Sequence, residues 1–106
     1  MPREVLPTVA EGTAIKHPVR LREVLQAVRA SGGQTVAVPE ADIVAAVRRL
    51  AMSGLYAEPT SATAAAALDV LQARGAIQAG ERTVVLLTGT GIKSTQFMTD
   101  LYSAAQ

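Results

Sequence analysis

The stretch Thr83-Val84-Val85-Leu86-Leu87-Thr88-Gly89-Thr90-Gly91 decides the fold class that this sequence predicts. Its first five residues form a continuous run of apolar and β-branched side chains between polar residues, which is typical of a strand covered on both faces. Residues 88–91 would follow the carboxyl end of that strand, where open α/β sheets bind their ligands. We therefore expect a central strand over residues 83–87 and a candidate binding turn directly after it.

Helix-like segments alternate with this run and with a second β-branched run, residues 34–38. Residues 18–31 carry apolar side chains at the spacing of one helical face. Similar patterns predict helices over residues 39–53 and 62–74, and a last helix after Ser94 or Thr95. The alternation predicts an α/β fold with three layers, in which a short, mostly parallel sheet is flanked by helices, and a single domain over residues 1–106.

The composition bounds the class of protein. With 106 residues, 49% of them hydrophobic but only 3% aromatic, the chain has one modest core of alanine and branched aliphatic side chains. The 10 Lys and Arg against 9 Asp and Glu are scattered, which excludes nucleic acid as the main partner. Cysteine is absent and His17 is the only histidine, which excludes cysteine chemistry and multi-histidine metal sites. Without an apolar stretch of membrane-spanning length, we expect a cytoplasmic protein with no membrane partner.

The Thr-Gly-Thr-Gly turn at residues 88–91 has two interpretations. Its glycines would let backbone N–H groups approach a ligand closely, and the following helix start would favour an anion. Alternatively, the turn is only a tight connection between a strand and a helix. It is not a dinucleotide-binding fingerprint, because Ser94 stands where the third glycine is required.

Three charged residues are weaker candidates for chemistry. Glu58 precedes Pro59 at a predicted helix start, where it is either a capping acid or a general acid or base. Either Thr60 or Ser61 is expected to cap that helix through its hydroxyl group. Lys16 and Lys93 lie in polar surroundings next to turns, which favours solvated side chains over reactive amines.

Three segments resemble one known family. Residues 54–62, Gly-Leu-Tyr-Ala-Glu-Pro-Thr-Ser-Ala, and residues 84–93 are similar to the closing portion of threonine synthase and its relatives, the fold-type II pyridoxal-phosphate enzymes. Residues 8–12 and 18–20 resemble the segment that precedes them. The resemblance covers about residues 5 to 95. Serine and threonine ammonia-lyases share the Glu-Pro and glycine-rich elements, so they remain an alternative within the family.

The resemblance implies pyridoxal phosphate as the cofactor of the complete parent enzyme. Thr88 matches the hydroxyl that binds the pyridine nitrogen, and such a group keeps the ring a weaker electron sink than a carboxylate would. Gly89 and Gly91 match positions where the chain passes beside the ring. Glu58 matches a carboxylate close to the cofactor pocket, and residues 10–12 match a loop at its edge.

The chain also departs from the family pattern. The cofactor-linked lysine, the phosphate-binding loop and the asparagine beside the phenolic oxygen all precede the matched region, and neither Lys16 nor Lys93 matches that lysine. We therefore expect a C-terminal fragment that has no catalytic residue of its own, binds no cofactor alone and is inactive without the N-terminal part of its parent.

The remaining alternative is a non-catalytic interaction or assembly domain that stands alone. In either case an isolated portion of a layered fold should expose an apolar face, so we expect a homo-oligomer.

Overall fold

The computed structural model describes residues 5–104 as four α-helices joined by turns and irregular segments. Short 3-10 helices cover Glu11–Thr13 and Gly91–Ser94. The α-helices are α1 (Leu21–Ala30), α2 (Glu40–Met52), α3 (Pro59–Ala73) and α4 (Thr95–Ser103). All four predicted helices are present, and α3 begins earlier than predicted because Pro59 occupies its first turn, where a missing N–H has no cost.

The core lies between α2 and α3. Ile43, Ala46 and Val47 of α2 are buried against alanines of α3, and Ala10 and Met98 complete the cluster. Since alanine side chains are short, the two helices can approach closely, as the alanine-rich composition predicted. At their outer edge Arg49 Nη2 lies 2.8 Å from Asp69 Oδ2, an exposed ion pair that contributes at most about 1 kcal/mol.

The apolar stripe of α1 has little cover among the described residues. Leu21, Val24 and Leu25 are each about half exposed, and only Val28 is partly buried. The helix itself ends as predicted, because Gly32 adopts a left-handed φ of 66°. The helix prediction is thus confirmed, while its apolar face is open to solvent in the described part of the chain.

The predicted sheet is not confirmed. Within residues 5–104 no segment forms a strand, and the isolated β-bridge between Ala57 and Thr90 is antiparallel. No backbone hydrogen bond joins residues 83–87 to another described residue. A run of apolar residues becomes a strand only when a neighbouring backbone pairs with it, and no described segment lies in that position.

Residues 83–87 are also covered on one side only. Val85 and Leu87 are half-buried, whereas Val84 is 85% and Leu86 is 72% exposed. The alternation is that of a strand with one packed face, not of the doubly covered central strand that the apolar run predicted. Residues 34–38 alternate in the same way, with Val36 and Val38 partly buried. The described residues therefore form helices and unpaired segments instead of the predicted three-layer arrangement.

None of the helices within residues 5–104 combines the length and the apolar character that crossing a membrane requires.

Candidate functional site

The turn at residues 88–91 is held against the start of α3 by one hydroxyl group. Ser61, in the first turn of α3, is only 2% exposed. Its Oγ accepts hydrogen bonds from the backbone N–H of Thr88 at 3.1 Å and of Gly89 at 2.7 Å. The same Oγ lies 3.1 Å from Thr88 Oγ1. A single buried serine therefore fixes both the backbone and the side chain of this turn.

The residues just before α3 run alongside the same turn. The backbone N–H of Glu58 donates to the carbonyl of Gly89 at 3.2 Å, and the N–H of Gly91 donates to the carbonyl of Tyr56 at 2.8 Å. The antiparallel bridge between Ala57 and Thr90 lies between these two bonds. The structure thus brings together Glu58, Thr88, Gly89 and Gly91, the four residues predicted to bind a cofactor.

The two glycines of the turn are needed for close approach. Neither adopts a positive φ, but a Cβ atom on Gly89 would lie 2.5 Å from Cδ of Glu58. A Cβ atom on Gly91 would lie 2.8 Å from two ring carbons of Tyr56 and 2.9 Å from Cε of Met98. The space beside each glycine is therefore filled by a protein side chain, and contact of either glycine with a cofactor stays a prediction.

Glu58 does not act as a capping acid. It occupies the N-cap position of α3, yet its side chain makes no cap hydrogen bond, and the carboxylate turns toward Gly89 instead. Ser61 does not cap the helix either, since its hydroxyl group binds the turn at residues 88–89. That Glu58 lies close to a cofactor pocket stays a prediction.

An open depression lies along this turn. It has a volume of about 280 Å³ and is lined by Leu55, Tyr56, Ala57, Leu87, Thr88, Gly89 and Thr90. This volume is just below the ~300–1,000 Å³ of typical small-molecule pockets. Thr88 is an exposed residue and lies beside the aliphatic and aromatic side chains of this lining. Such a lining suits one edge of a flat heteroaromatic ring.

The other singled-out residues lie elsewhere. Lys93 lines a separate groove of about 480 Å³ together with Thr8, Glu11 and Glu40, and Lys16 is exposed. In that groove the carboxylate of Glu40 accepts hydrogen bonds from Thr8 Oγ1 at 2.5 Å and from the Val9 N–H at 2.8 Å. The hydroxyl of Thr8, followed by the amide of Val9, lowers the pKa of Glu40.

The segment expected at the pocket edge packs on the start of α3. The N–H of Gly12 donates to Thr60 Oγ1 at 3.0 Å, and Ala10 is buried in the core. The hydroxyl group of Thr60 thus links a distant segment to α3. Residues 10–12 do not line the depression beside Thr88.

Ser61 is the residue that sequence reasoning missed. The pattern assigned it to helix capping, because hydroxyl residues at a helix start usually bind their own helix. Ser61 differs from an ordinary capping residue in its position at the first turn of an alanine-rich helix. A glycine-containing turn can approach such a helix closely. The buried hydroxyl of Ser61 finds its partners in another segment.

Comparison with known proteins identifies the class of protein to which this site belongs. The profile of the family described as pyridoxal-phosphate dependent enzyme matches residues 1–89, most of the chain. The chain therefore belongs to this family, as the resemblance implied, and the cofactor of the family is pyridoxal phosphate.

The similar curated proteins are threonine synthases. The threonine synthase of Methanocaldococcus jannaschii is 39% identical over 87 residues, 81% of this chain and 22% of that protein. That of Methanosarcina acetivorans is 37% identical over 101 residues, 94% of this chain and 25% of its own length. The chloroplastic threonine synthase 2 of Arabidopsis thaliana is 31% identical over 96 residues, 91% of this chain and 19% of that protein. The chain spans a quarter or less of each of them.

The depression fits one end of pyridoxal phosphate. The hydroxyl of Thr88 is a suitable donor to a ring nitrogen, and Tyr56 and Leu87 offer walls for the flat ring. Within the described chain, the lining includes no lysine or arginine to hold the phosphate group or to bond the cofactor. The residues present therefore fit the ring-nitrogen edge of the cofactor.

Proposed function

We propose that this chain is the C-terminal part of a fold-type II, threonine-synthase-like enzyme, which converts O-phosphohomoserine and water to threonine and phosphate. The observation that carries the proposal is the contact of Thr88, which lines the depression, with the buried Ser61 through their hydroxyl groups. The threonine synthases that match most of the chain support the choice of reaction within the family.

In this proposal Thr88 donates a hydrogen bond to the pyridine nitrogen. Pyridoxal phosphate, when bound, supplies the electron sink for elimination and replacement at the substrate's side-chain carbons. A hydroxyl group holds the nitrogen in place without transferring a proton to it, because the hydroxyl is far too weak an acid. The side chains of Tyr56 and Leu87 would flank the ring. The carboxylate of Glu58, packed over Gly89, places a negative charge beside the turn.

The same proposal makes this chain inactive by itself. Neither Lys16 nor Lys93 contributes to the depression beside Thr88, and the chain matches a quarter or less of its relatives. We expect the cofactor-linked lysine and the phosphate loop to come from the N-terminal part of the parent enzyme, which is therefore the first partner of this chain. The parent is expected to work in the cytoplasm.

The exposed apolar side chains support an assembly role in addition. Val84 and Leu86 are largely exposed on an unpaired segment, and the stripe of α1 is half exposed. Apolar surface of this kind is typical of interfaces. A homo-oligomer is therefore part of the proposal, and a non-catalytic assembly domain is the second candidate function.

The decisive experiment compares Thr88→Val with Thr99→Val in the complete polypeptide that carries this chain. Thr99 is an exposed threonine on α4, and it serves as the matched control. We expect Thr88→Val to lower phosphate release from O-phosphohomoserine about tenfold or more, and Thr99→Val to stay within about twofold of the unchanged enzyme. Equal effects of the two changes would remove Thr88 from the site.

Two further measurements separate the remaining alternatives. Turnover of serine or threonine to ammonia, without phosphate release from O-phosphohomoserine, would favour an ammonia-lyase. For the isolated chain we expect no defined cofactor absorbance after addition of pyridoxal phosphate. A borohydride-stable adduct at one lysine would contradict its proposed inactivity.

A further inference from the structure

We propose that Ser61 is a positioning residue that directs the hydroxyl proton of Thr88 outward, into the depression. The order of the hydrogen bonds follows from the contacts of Ser61 alone, and their role in catalysis rests on the proposed function. Ser61 touches Thr88 and does not line the depression itself.

The hydroxyl group of Ser61 can take part in three hydrogen bonds. A serine hydroxyl has two acceptor lone pairs and one proton to donate. The backbone N–H groups of Thr88 and Gly89 both donate to Ser61 Oγ, and together they occupy its two lone pairs. Its own proton is left for the third partner, Thr88 Oγ1, at 3.1 Å. Ser61 is therefore the donor in the contact between the two hydroxyl groups.

The reverse order is disfavoured by burial. If Thr88 donated to Ser61, three donors would converge on Ser61 Oγ, and the Ser61 proton would have no partner at a site that is 2% exposed. A buried donor without a partner is costly. The contacts of Ser61 therefore favour a hydrogen bond in which Ser61 donates and Thr88 accepts.

The consequence falls on Thr88. Because Thr88 Oγ1 accepts from Ser61, its own proton is free to point away from α3. The side chain is exposed and lines the depression, so that proton is offered to whatever binds there. A group held in this way acts as a donor, and its matching ligand atom is an acceptor such as an unprotonated aromatic nitrogen.

The hydrogen-bond order can be tested on this chain without any cofactor. In NMR spectra we expect a slowly exchanging hydroxyl proton on Ser61, with a through-space contact to the side chain of Thr88. The Thr88 hydroxyl proton should exchange with water too fast to observe. A protected Thr88 hydroxyl proton together with a rapidly exchanging Ser61 proton would overturn the inference.

A nearly isosteric variant tests the same hydrogen bond, and the Gly89 N–H serves as the internal control. Thr88→Val removes the acceptor of the Ser61 proton but keeps the backbone N–H groups, so exchange of that proton should accelerate about tenfold or more. Exchange of the Gly89 N–H, which donates to Ser61 Oγ, should stay within about twofold. An unchanged Ser61 proton would show that Thr88 is not its acceptor. This comparison does not depend on whether Ser61→Ala folds.

The positioning role is tested in the complete enzyme loaded with pyridoxal phosphate. We expect Ser61→Ala to lower kcat about 3- to 10-fold with little change in KM, and to shift the absorption spectrum and pH profile of the bound cofactor. Ser61→Thr, which keeps the hydroxyl group, should retain the kcat, the absorption spectrum and the pH profile of the unchanged enzyme. Unchanged spectra and pH profile in Ser61→Ala would overturn the positioning role. If the complete protein binds no cofactor, the proposed function and this role both fail, while the NMR result still decides the hydrogen-bond order.

Discussion

The carboxylate of Glu58 occupies the space that a side chain at position 89 would need. A Cβ atom on Gly89 would lie 2.5 Å from Cδ and 3.1 Å from Cγ of Glu58. The glutamate can take this position, turned back from the helix start, only because residue 89 has no side chain. This contact couples the segment before α3 to the turn that carries Thr88.

Gly89→Ala should displace the Glu58 side chain and leave the fold intact. The colliding atoms belong to the far end of a flexible side chain, so we expect a loss of only about 1 kcal/mol in the free energy of unfolding. In a Glu58→Ala background the same change should cost close to nothing, because the collision is gone. A double-mutant cycle by urea denaturation measures this coupling. Equal costs in both backgrounds would contradict the contact.

Gly91→Ala should be the more damaging of the two glycine changes. Gly91 is buried, and its new Cβ atom would meet the rigid ring of Tyr56 and the core residue Met98. We expect a loss of about 1–3 kcal/mol in the free energy of unfolding, since Met98 is buried in the core and its displacement disturbs that packing. The pair of variants is compared under identical denaturation conditions. A cost smaller than that of Gly89→Ala would contradict the prediction.

Alanine at position 62 sets the distance between α2 and α3. Ala62 is fully buried against α2, whereas Ala64 is exposed on the same helix. Ala62→Leu should reduce the free energy of unfolding by about 1–3 kcal/mol, because the helices would have to move apart. Ala64→Leu is the control and should stay within about 0.5 kcal/mol of the unchanged chain. Chemical denaturation with a constant m-value makes the comparison valid.

The Glu40 contact predicts a weakening of the fold in acid. Its pKa is lowered by the Thr8 hydroxyl and then by the Val9 N–H, so the charged form is favoured in the folded state. The resulting stabilisation is present above the pKa of the unfolded chain and is lost as the pH falls through the folded pKa. Glu40→Gln should flatten this part of the stability curve. Glu23→Gln, on the exposed helix α1, is the control, and an equal flattening there would contradict the assignment.

Leu86→Lys tests the proposed self-association. Leu86 is 72% exposed, so a charged residue there should weaken an oligomer without lowering the thermal unfolding temperature. Light scattering over a range of concentrations measures the effect, and Thr83→Lys, at an exposed polar position of the same segment, is the control. An unchanged chain that is monomeric at high concentration would contradict the proposal.

The sequence predicted the helices because their signals are local. The spacing of apolar residues depends only on neighbours along the chain, and the glycines that follow α1 and α2, Gly32 and Gly54, adopt a positive φ. The run at residues 83–87 carries an equally clear apolar pattern, but a strand also needs a second backbone beside it. No sequence pattern within one segment contains that partner.

The sequence predicted four residues of the candidate site but not Ser61, because the partners of Ser61 lie far from it along the chain. Glu58, Thr88, Gly89 and Gly91 were selected through the family resemblance, and the structure brings them together. Ser61 was assigned a local role because its neighbours along the chain offer ordinary capping partners, while its actual partners are residues 88 and 89. A side chain that binds across such a separation leaves little trace in the spacing of the residues around it.

The unpaired backbone of residues 83–87 limits what can cover Val84 and Leu86. A cover made only of hydrocarbon would remove water from these peptide groups without replacing its hydrogen bonds, at a cost of about 1–3 kcal/mol for each group left unsatisfied. Detergent tails or the side of a helix are therefore poor matches. An extended polypeptide supplies both N–H and carbonyl groups at the required spacing, so we expect residues 83–87 to accept such a partner in preference to other apolar surfaces.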